Sequence, residues 1–459
     1  MNPDKVAVIG AGSAFFGPQV LVGLARHPRL AGVELALHDV DPTAVDRAGR
    51  FASMLAAGRQ QKVAVRSTTN LAECLEGARC VVVSVAIDRE ATWARDRAIA
   101  ERHGIRHYGE NGGPGAMAHT ARNLALILPI AREMERRCPQ AWLINYTNPV
   151  PRIATALRRA TSIRSIGVCH QLDFGYFMVG CLLAEDLGIE LPADCRFRWT
   201  DESVARMGEV AAKTKRAVRI VAAGLNHFTW IQTLSRRTDG QDLLPRLRER
   251  SIDFDRGFEP LTRQIFRLFD TFPVPGDCHL AEYLPYTHNP ARQGWNDYDI
   301  QAYDHQWSER QRRARVAEVE AMLESGDASQ AEAFGSERAE DLVVALLDRS
   351  EHHDEALNLQ NAGAIANLPD EAIVEVPATI QSAQPSPVSC GALPEPIAEL
   401  CRRQITINEL CAAGLCDGDR RKLVQALALD PMVDDPRLPD RLLDAYLEDS
   451  LAYLTGLLG

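Results

Sequence analysis

The feature that most constrains this chain is a short apolar run that stops on a glycine turn. Val6-Ala7-Val8-Ile9 leads directly into Gly10-Ala11-Gly12-Ser13. A run without polar alternation suits a strand covered on both faces, and glycines at its end let the backbone turn sharply into a helix. The same kind of run recurs. Leu35 to Leu37 ends in His38-Asp39, Cys80 to Val85 is almost wholly apolar, and Trp142 to Asn145 and Ile163 to Val168 behave alike. Helical periodicity fills the intervals at Thr43 to Leu55 and Ala118 to Arg137. Buried runs separated by helices predict an α/β fold, a Rossmann-like doubly wound parallel sheet.

The pattern changes near Ala193. Arg216 to Ala222 and Phe228 to Leu234 read as strands, and Ala372 to Val376 is strand-like. Helical stretches follow at Ser336 to Arg349, Glu395 to Leu415 and Leu442 to Leu458. The charged, aromatic-containing segment Tyr286 to Arg315 has weak periodicity and reads as an ordered loop or an oligomer contact. Ser382 to Ser389 reads as a loop. At 459 residues the chain exceeds one ordinary domain. The division expected is a nucleotide-binding domain over residues 1–195 and an α+β domain for substrate and oligomer contacts over 196–459.

Composition narrows the partners. The balance of 51 basic against 62 acidic side chains, a net charge of -11, argues against nucleic acid or an anionic membrane. No stretch approaches the roughly 20 apolar residues of a membrane span, and the start of the chain lacks the apolar core of a secretory signal. The 11 cysteines are scattered without paired spacing, which fits free thiols in a reducing cytoplasm.

Gly10, Gly12 and Ser13 stand where a dinucleotide's diphosphate would meet a helix N-terminus. Phe15 occupies the place of the third glycine in that motif, so the pattern is incomplete. Asp39, closing the second apolar run, is placed to bind the adenosine ribose hydroxyls, which favours NAD over NADP. Asp41 suits the cap of the helix that follows Pro42.

Three further segments look unlike packing sequence: Asn145-Tyr146-Thr147-Asn148-Pro149, Gly167-Val168-Cys169-His170 and Gly224-Leu225-Asn226-His227. Each ends an apolar run, and in a doubly wound sheet the carboxyl ends of strands face the ligand crevice. Cys169 and His227 would offer a divalent cation a thiolate and an imidazole, leaving open positions for substrate oxygens. The competing reading is a buried thiol beside a core histidine. An asparagine–proline pair like Asn148-Pro149 also lies beside the nicotinamide in dehydrogenases of the malate and lactate type.

Taken together, these segments resemble glycoside hydrolase family 4, the NAD- and metal-dependent glycosidases. The resemblance also rests on Gly113-Pro114-Gly115, on Gly276 to Pro285, on Asn367-Leu368-Pro369 and on Ile373-Val374-Glu375-Val376. The runs Gly224 to Trp230 and His279 to Pro285 look most like the α-galacturonidase and α-galactosidase branch. The resemblance implies a fold of the lactate/malate dehydrogenase-like superfamily and a redox route to glycoside hydrolysis. In that route NAD takes a hydride from sugar C3, a base removes the C2 proton, the leaving group departs, water adds and the hydride returns. The family stands outside the two-carboxylate glycosidase scheme.

Carried over by position, Cys169 and His227 resemble the metal ligands, with Mn²⁺ as the ion. Asn148 resembles the residue that bonds the sugar near C3, beside the cofactor. Tyr283 is the expected C2 base, although a tyrosine must be activated from an ordinary pKa of about 10. His170 is the expected proton donor to the leaving oxygen. His119, Asn226 and Glu282 are expected to contact substrate. His119 stands where many relatives have arginine, which leaves a substrate carboxylate, such as that of an α-galacturonide, without its usual partner. Cys278 reads as a rim thiol or a third soft ligand. The expected partner is a small α-glycoside, met by a homodimer or homotetramer. Two rivals remain open at this point: a plain NAD-dependent sugar or hydroxy-acid dehydrogenase, and a non-catalytic sensor in which Cys169 and His227 lie too far apart to share a metal.

Overall fold

The computed structural model describes residues 3–58, 62–192 and 194–454. One sheet runs through both halves of the chain. Its first six strands are β1 (Lys5–Ile9), β2 (Glu34–His38), β3 (Ala64–Thr68), β4 (Cys80–Val83), β5 (Trp142–Asn145) and β6 (Arg164–Gly167). They lie side by side in the order β3-β2-β1-β4-β5-β6, all parallel, as the alternation of runs and helices predicts. Apart from β3, whose mixed sequence Ala-Val-Arg-Ser-Thr gives no apolar run, these strands follow the runs read from sequence.

The second half extends the same sheet antiparallel. Its strands are β7 (Val218–Leu225), β8 (Phe228–Arg236), β9 (His352–Gln360), β10 (Ile373–Gln381) and β11 (Gln384–Pro387). Strand β9 joins β6 through Gly167 and Asn358, and β10 joins β7 through Glu375 and Gly224. Each seam rests on one register pair, and both seams pass beside the carboxyl end of β6. The transition at Ala193 itself lies outside the described residues; its flanks, from Glu190 to Arg198, carry neither helix nor strand.

Three sequence expectations change. Ser382 to Ser389 is not a loop, because β11 folds back on β10 as a hairpin turning at Ser382 and Ala383, both with positive φ. The segment from Tyr286 to Arg315 is not one irregular stretch. Its second part opens a helix, His305–Ser325, capped by Asp304 accepting from the Trp307 amide. The polar, evenly charged surface of that helix hides its period, since only Trp307, Ser308, Val319 and Met322 are buried. The last helix spans Leu438–Leu454, and residues 455–458 of the expected stretch lie outside the described residues. Among the described residues no helix is long and apolar enough to cross a membrane.

Four apolar clusters hold the layers. Two sandwich the parallel strands; one of them is sealed by the C-terminal helices through Leu442, Leu443 and Tyr446. The other two back the antiparallel strands and the helix Gly276–Tyr283.

Candidate functional site

At the carboxyl end of β1 the glycine turn is closed by contact. Gly10 has φ +81°, and a Cβ there would lie 2.2 Å from the Ser84 carbonyl oxygen. The turn is also more complete than sequence spacing indicates. Gly17 lets the helix Phe16–Arg26 press on the turn, since a Cβ would come within 2.3 Å of the Ala11 carbonyl oxygen. It takes the close-packing part assigned to the missing third glycine, two positions later than the motif places it. Ser13 Oγ accepts from the Phe16 amide at 3.3 Å. Asp39 accepts from the Gly12 amide at 3.0 Å and from the Asp41 amide at 3.1 Å, so its carboxylate sits against the turn. Asp41 caps the helix Pro42–Gly58 by accepting from Thr43 and Ala44, as expected.

Next to it, loops after β5, β6 and β7 converge with two segments of the second half. The hairpin between β7 and β8 places His227 at φ +60°, a left-handed conformation unusual for a residue with a side chain. That turn aims the imidazole back across the sheet end. Cys169 Sγ lies 3.2 Å from His227 Nε2. The two residues expected as metal ligands are therefore side by side, 58 residues apart in sequence.

The other edge of the same ring faces a second group. Asn111 Nδ2 lies 2.9 Å from His227 Nδ1, and His279 Nδ1 lies 3.2 Å from it. Glu110, His227 and His279 present donor atoms within 4.8 Å of one another. In the sequence His279 only opens the run His279 to Pro285. Its spacing of three from Glu282 on one helix face was the available signal.

Glu110 is the charged hub. Burial works against its ionised form, but Arg89, donating at 2.6 Å, holds its carboxyl down at about 2. Asn148 Nδ2 donates to the same carboxylate at 3.3 Å. Arg89 is itself shared, since it also donates to Glu90 at 2.8 Å and to the Tyr303 hydroxyl at 3.1 Å.

Two residues expected to contact substrate already have partners within the protein. Glu282 is fully buried, with one carboxylate oxygen accepting from the amides of Glu110, Asn111 and Gly112 at 2.6–2.9 Å. Its other oxygen lies 2.6 Å from His279 Nδ1. It builds the Glu110 turn. Asn226 is also fully buried and donates to Glu375 at 2.6 Å, a carboxylate that accepts from Asn358 at 2.9 Å as well. Both belong to the seam between β6, β9, β10 and β7.

The remaining residues are placed as follows. His119 is buried close to Glu110, and burial lowers its pKa to about 3, so it is neutral. His170 is bound through Nε2 to the Glu337 carboxylate, with Asp173 at 4.0 Å from Nδ1. Tyr283 is buried, stacked on Phe228 with ring centroids 4.8 Å apart, and its hydroxyl reaches the Asn226 carbonyl at 3.5 Å. Burial, then Glu282 and Glu110, push its pKa well up, while Arg152 pulls the other way. Cys278 is half-buried against an apolar cluster and lies outside the group of possible ligands. Burial, then Glu375, push the Cys169 thiol up to about 12, so in this arrangement it is protonated.

Comparison with known proteins matches this architecture closely. The family 4 glycosyl hydrolase pattern matches residues 5–181, and the pattern of that family's C-terminal domain matches residues 222–433. The chain is 27% identical to an alpha-glucosidase of Erwinia rhapontici, over 99% of both chains. It is 29% identical to an alpha-galacturonidase of Bacillus subtilis, over 95% of each. A Bacillus subtilis crystal structure described as a glucosidase superposes with a TM-score of 0.82 at 26% identity, covering 97% of this chain and 100% of that one. A 6-phospho-alpha-glucosidase from gut microorganisms, solved with NAD and Mn²⁺, shares the fold with a TM-score of 0.76 at 20% identity, over 98% and 99%. With both family patterns matched in order over most of its length, the chain belongs to glycosyl hydrolase family 4.

Proposed function

We propose that this protein hydrolyses α-glycosides by transient oxidation at sugar C3, proton removal at C2, elimination of the leaving group and addition of water. The observation that carries the reading is the approach of Cys169 Sγ to His227 Nε2 beside Asn148 and the glycine turn. When bound, NAD⁺ supplies a hydride acceptor and the divalent cation, Mn²⁺, supplies a Lewis acid for the sugar's oxygen pair.

The residues fit both groups. The glycine turn offers a cradle that side chains would fill. The thiol and imidazole offer a soft pair for a metal once both are deprotonated. Asn111 Nδ2 lies 2.9 Å from His227 Nδ1, and the tautomer in which Nδ1 accepts from that amide puts the ring proton on Nε2, toward sulfur. The buried Asn111 Oδ1 has no partner among the described residues. Rotating that amide lets Oδ1 accept a proton at Nδ1 and frees the Nε2 lone pair for a metal. In the alternative set around Glu110, the Nδ1 atoms of His227 and His279 already lie against Asn111 and Glu282.

Asn148 holds a sugar hydroxyl near C3, with its amide oriented by Glu110. Tyr283 is the C2 base. It needs a cation to lower a pKa that burial raises, and Arg152 supports that direction from within the protein. His170, steadied by Glu337, gives a proton to the departing oxygen. Glycosidase action, as against simple oxidation, predicts bond cleavage without net NADH.

The test is nitrophenol release from α- and β-linked glucosides, galactosides and galacturonides, with NAD⁺ and Mn²⁺ each present or omitted. The sugars follow the named activities of relatives at 26–29% identity. Turnover requiring both additions, with no NADH accumulating, is the expected result. Stoichiometric NADH without cleavage would replace the proposal with a dehydrogenase.

A further inference from the structure

The helix His305–Ser325 belongs to the second half of the chain, yet it is anchored at both ends on the first. Near its start, His305 Nδ1 lies 2.7 Å from Glu90, and Ser308 Oγ donates to the same carboxylate at 3.0 Å. Glu90 sits in the first turn of the helix Arg89–Arg102, which leaves the carboxyl end of β4. Farther along, Glu320 accepts from Arg47 at 3.5 Å, and Val319 and Met322 are buried in the cluster that contains Leu21 and Phe51. Arg47 stands in the second turn of the helix Pro42–Gly58, which leaves the carboxyl end of β2.

Strands β2 and β4 flank β1. A helix tied to the helices that follow both strands passes over the carboxyl end of β1, where the glycine turn lies. From Ser308 to Glu320 it advances about 18 Å at 1.5 Å per residue. Arg315 falls between the anchors. Its guanidinium carbon lies 4.0 Å from the Phe334 ring centroid and 5.9 Å from that of Phe15, the residue before the helix that starts at the turn. Gly12, Ser13, Ala14, Arg47, Arg315 and Val319 line one hollow. Arg315 Nε lies 3.5 Å from the Glu318 carboxylate, while its Nη1 is buried with no hydrogen-bond partner among the described residues. A planar cation with an unused donor, facing backbone at a helix N-terminus, is chemistry for a phosphate oxygen.

We propose that Arg315 binds the diphosphate of the dinucleotide carried on the glycine turn, so that the second half of the chain completes a site begun by the first. The inference rests on the dinucleotide reading of Gly10 to Ser13 and Asp39. It concerns the diphosphate in preference to a ribose 2′-phosphate, because Asp39 would repel the latter.

The experiment is calorimetric titration of the full chain with NAD⁺, ADP-ribose, adenosine and NADP⁺. Wild type is compared with Arg315→Met, which keeps an aliphatic stem on Phe334, and with Arg315→Lys. Loss of one charge-assisted contact should weaken NAD⁺ and ADP-ribose about tenfold and leave adenosine unchanged. Lysine should restore part of the affinity, and the wild-type advantage should shrink as salt rises. Equal NAD⁺ affinity in wild type and Arg315→Met would overturn the proposal, as would a loss confined to NADP⁺. Wild-type protein that binds neither NAD⁺ nor ADP-ribose would overturn the dinucleotide reading beneath it.

Discussion

The glycine turn and the side-chain site around Cys169 and His227 lie at the same edge of one sheet but are made differently. The turn is built from Gly10 to Gly17 plus Asp39, on two adjacent parallel strands. The side-chain site draws Glu110, Asn148, Cys169, His227, His279 and Glu375 from six places spread through the chain. In the turn, backbone geometry carries the function, so glycine positions reveal it. In the site, side chains carry it, and each is held by another that no local pattern connects to it. A contiguous motif tolerates distant change; an assembled site depends on every segment that frames it.

That contrast can be broken by experiment. The largest effect is expected at the metal pair: Cys169→Ala or His227→Ala should lower nitrophenyl glycoside turnover on the order of 1000-fold. NAD⁺ affinity by calorimetry should stay unchanged, and a parallel loss of NAD⁺ binding would show that the two regions are one unit. Next comes Glu282→Ala, which strands three buried amides and the His279 ring. We expect a loss of roughly 3–4 kcal/mol in chemical denaturation, with activity lost even where the fold persists. Unaltered activity would mean that the Glu110 turn holds without its buried acceptor.

Gly10→Ala tests the turn itself. Positive φ and a 2.2 Å clash with the Ser84 carbonyl oxygen should cost about 3 kcal/mol and abolish NAD⁺ binding before it disturbs metal uptake. Full NAD⁺ affinity in a folded variant would remove the backbone argument for the turn.

The smallest effect concerns the helical shoulder behind the site. Burial raises the Asp430 carboxyl to about 6, above its unfolded value. A carboxyl raised in this way favours the fold below the unfolded pKa and loses that contribution as pH climbs through 6. Wild type should therefore lose about 2 kcal/mol relative to Asp430→Asn between pH 4 and pH 8, measured by denaturant midpoints. Parallel pH profiles for the two proteins would exclude the effect.

Much of the frame was legible in the sequence because its signals are local. Val6 to Ile9, Leu35 to Leu37 and Cys80 to Val85 announce strands covered on both faces, and the helices between them force parallel pairing. Strand β3 and hairpin strand β11 escaped, since an edge position leaves their residues exposed and removes the apolar run. The helix His305–Ser325 escaped for a related reason: most of its surface is charged and faces outward. In the site, Cys169, His227 and Asn148 stood out by their place at strand ends. Arg89 and Glu337 did not, because each acts through a partner far away in the chain, and the role of His279 shows only where the fold brings it to His227, 52 residues away.

By itself, then, the sequence determined the parallel sheet, the glycine turn and the residue types able to bind a metal, because periodicity and backbone stereochemistry act between near neighbours. Only the tertiary structure decided which oxygens and nitrogens remain free. It spent Glu282 on three amides and Asn226 on Glu375, brought Cys169 against His227, and laid Arg315 across the turn. Those outcomes depend on strand order and on burial, where a polar group must find its partner within reach and a distant segment can supply it.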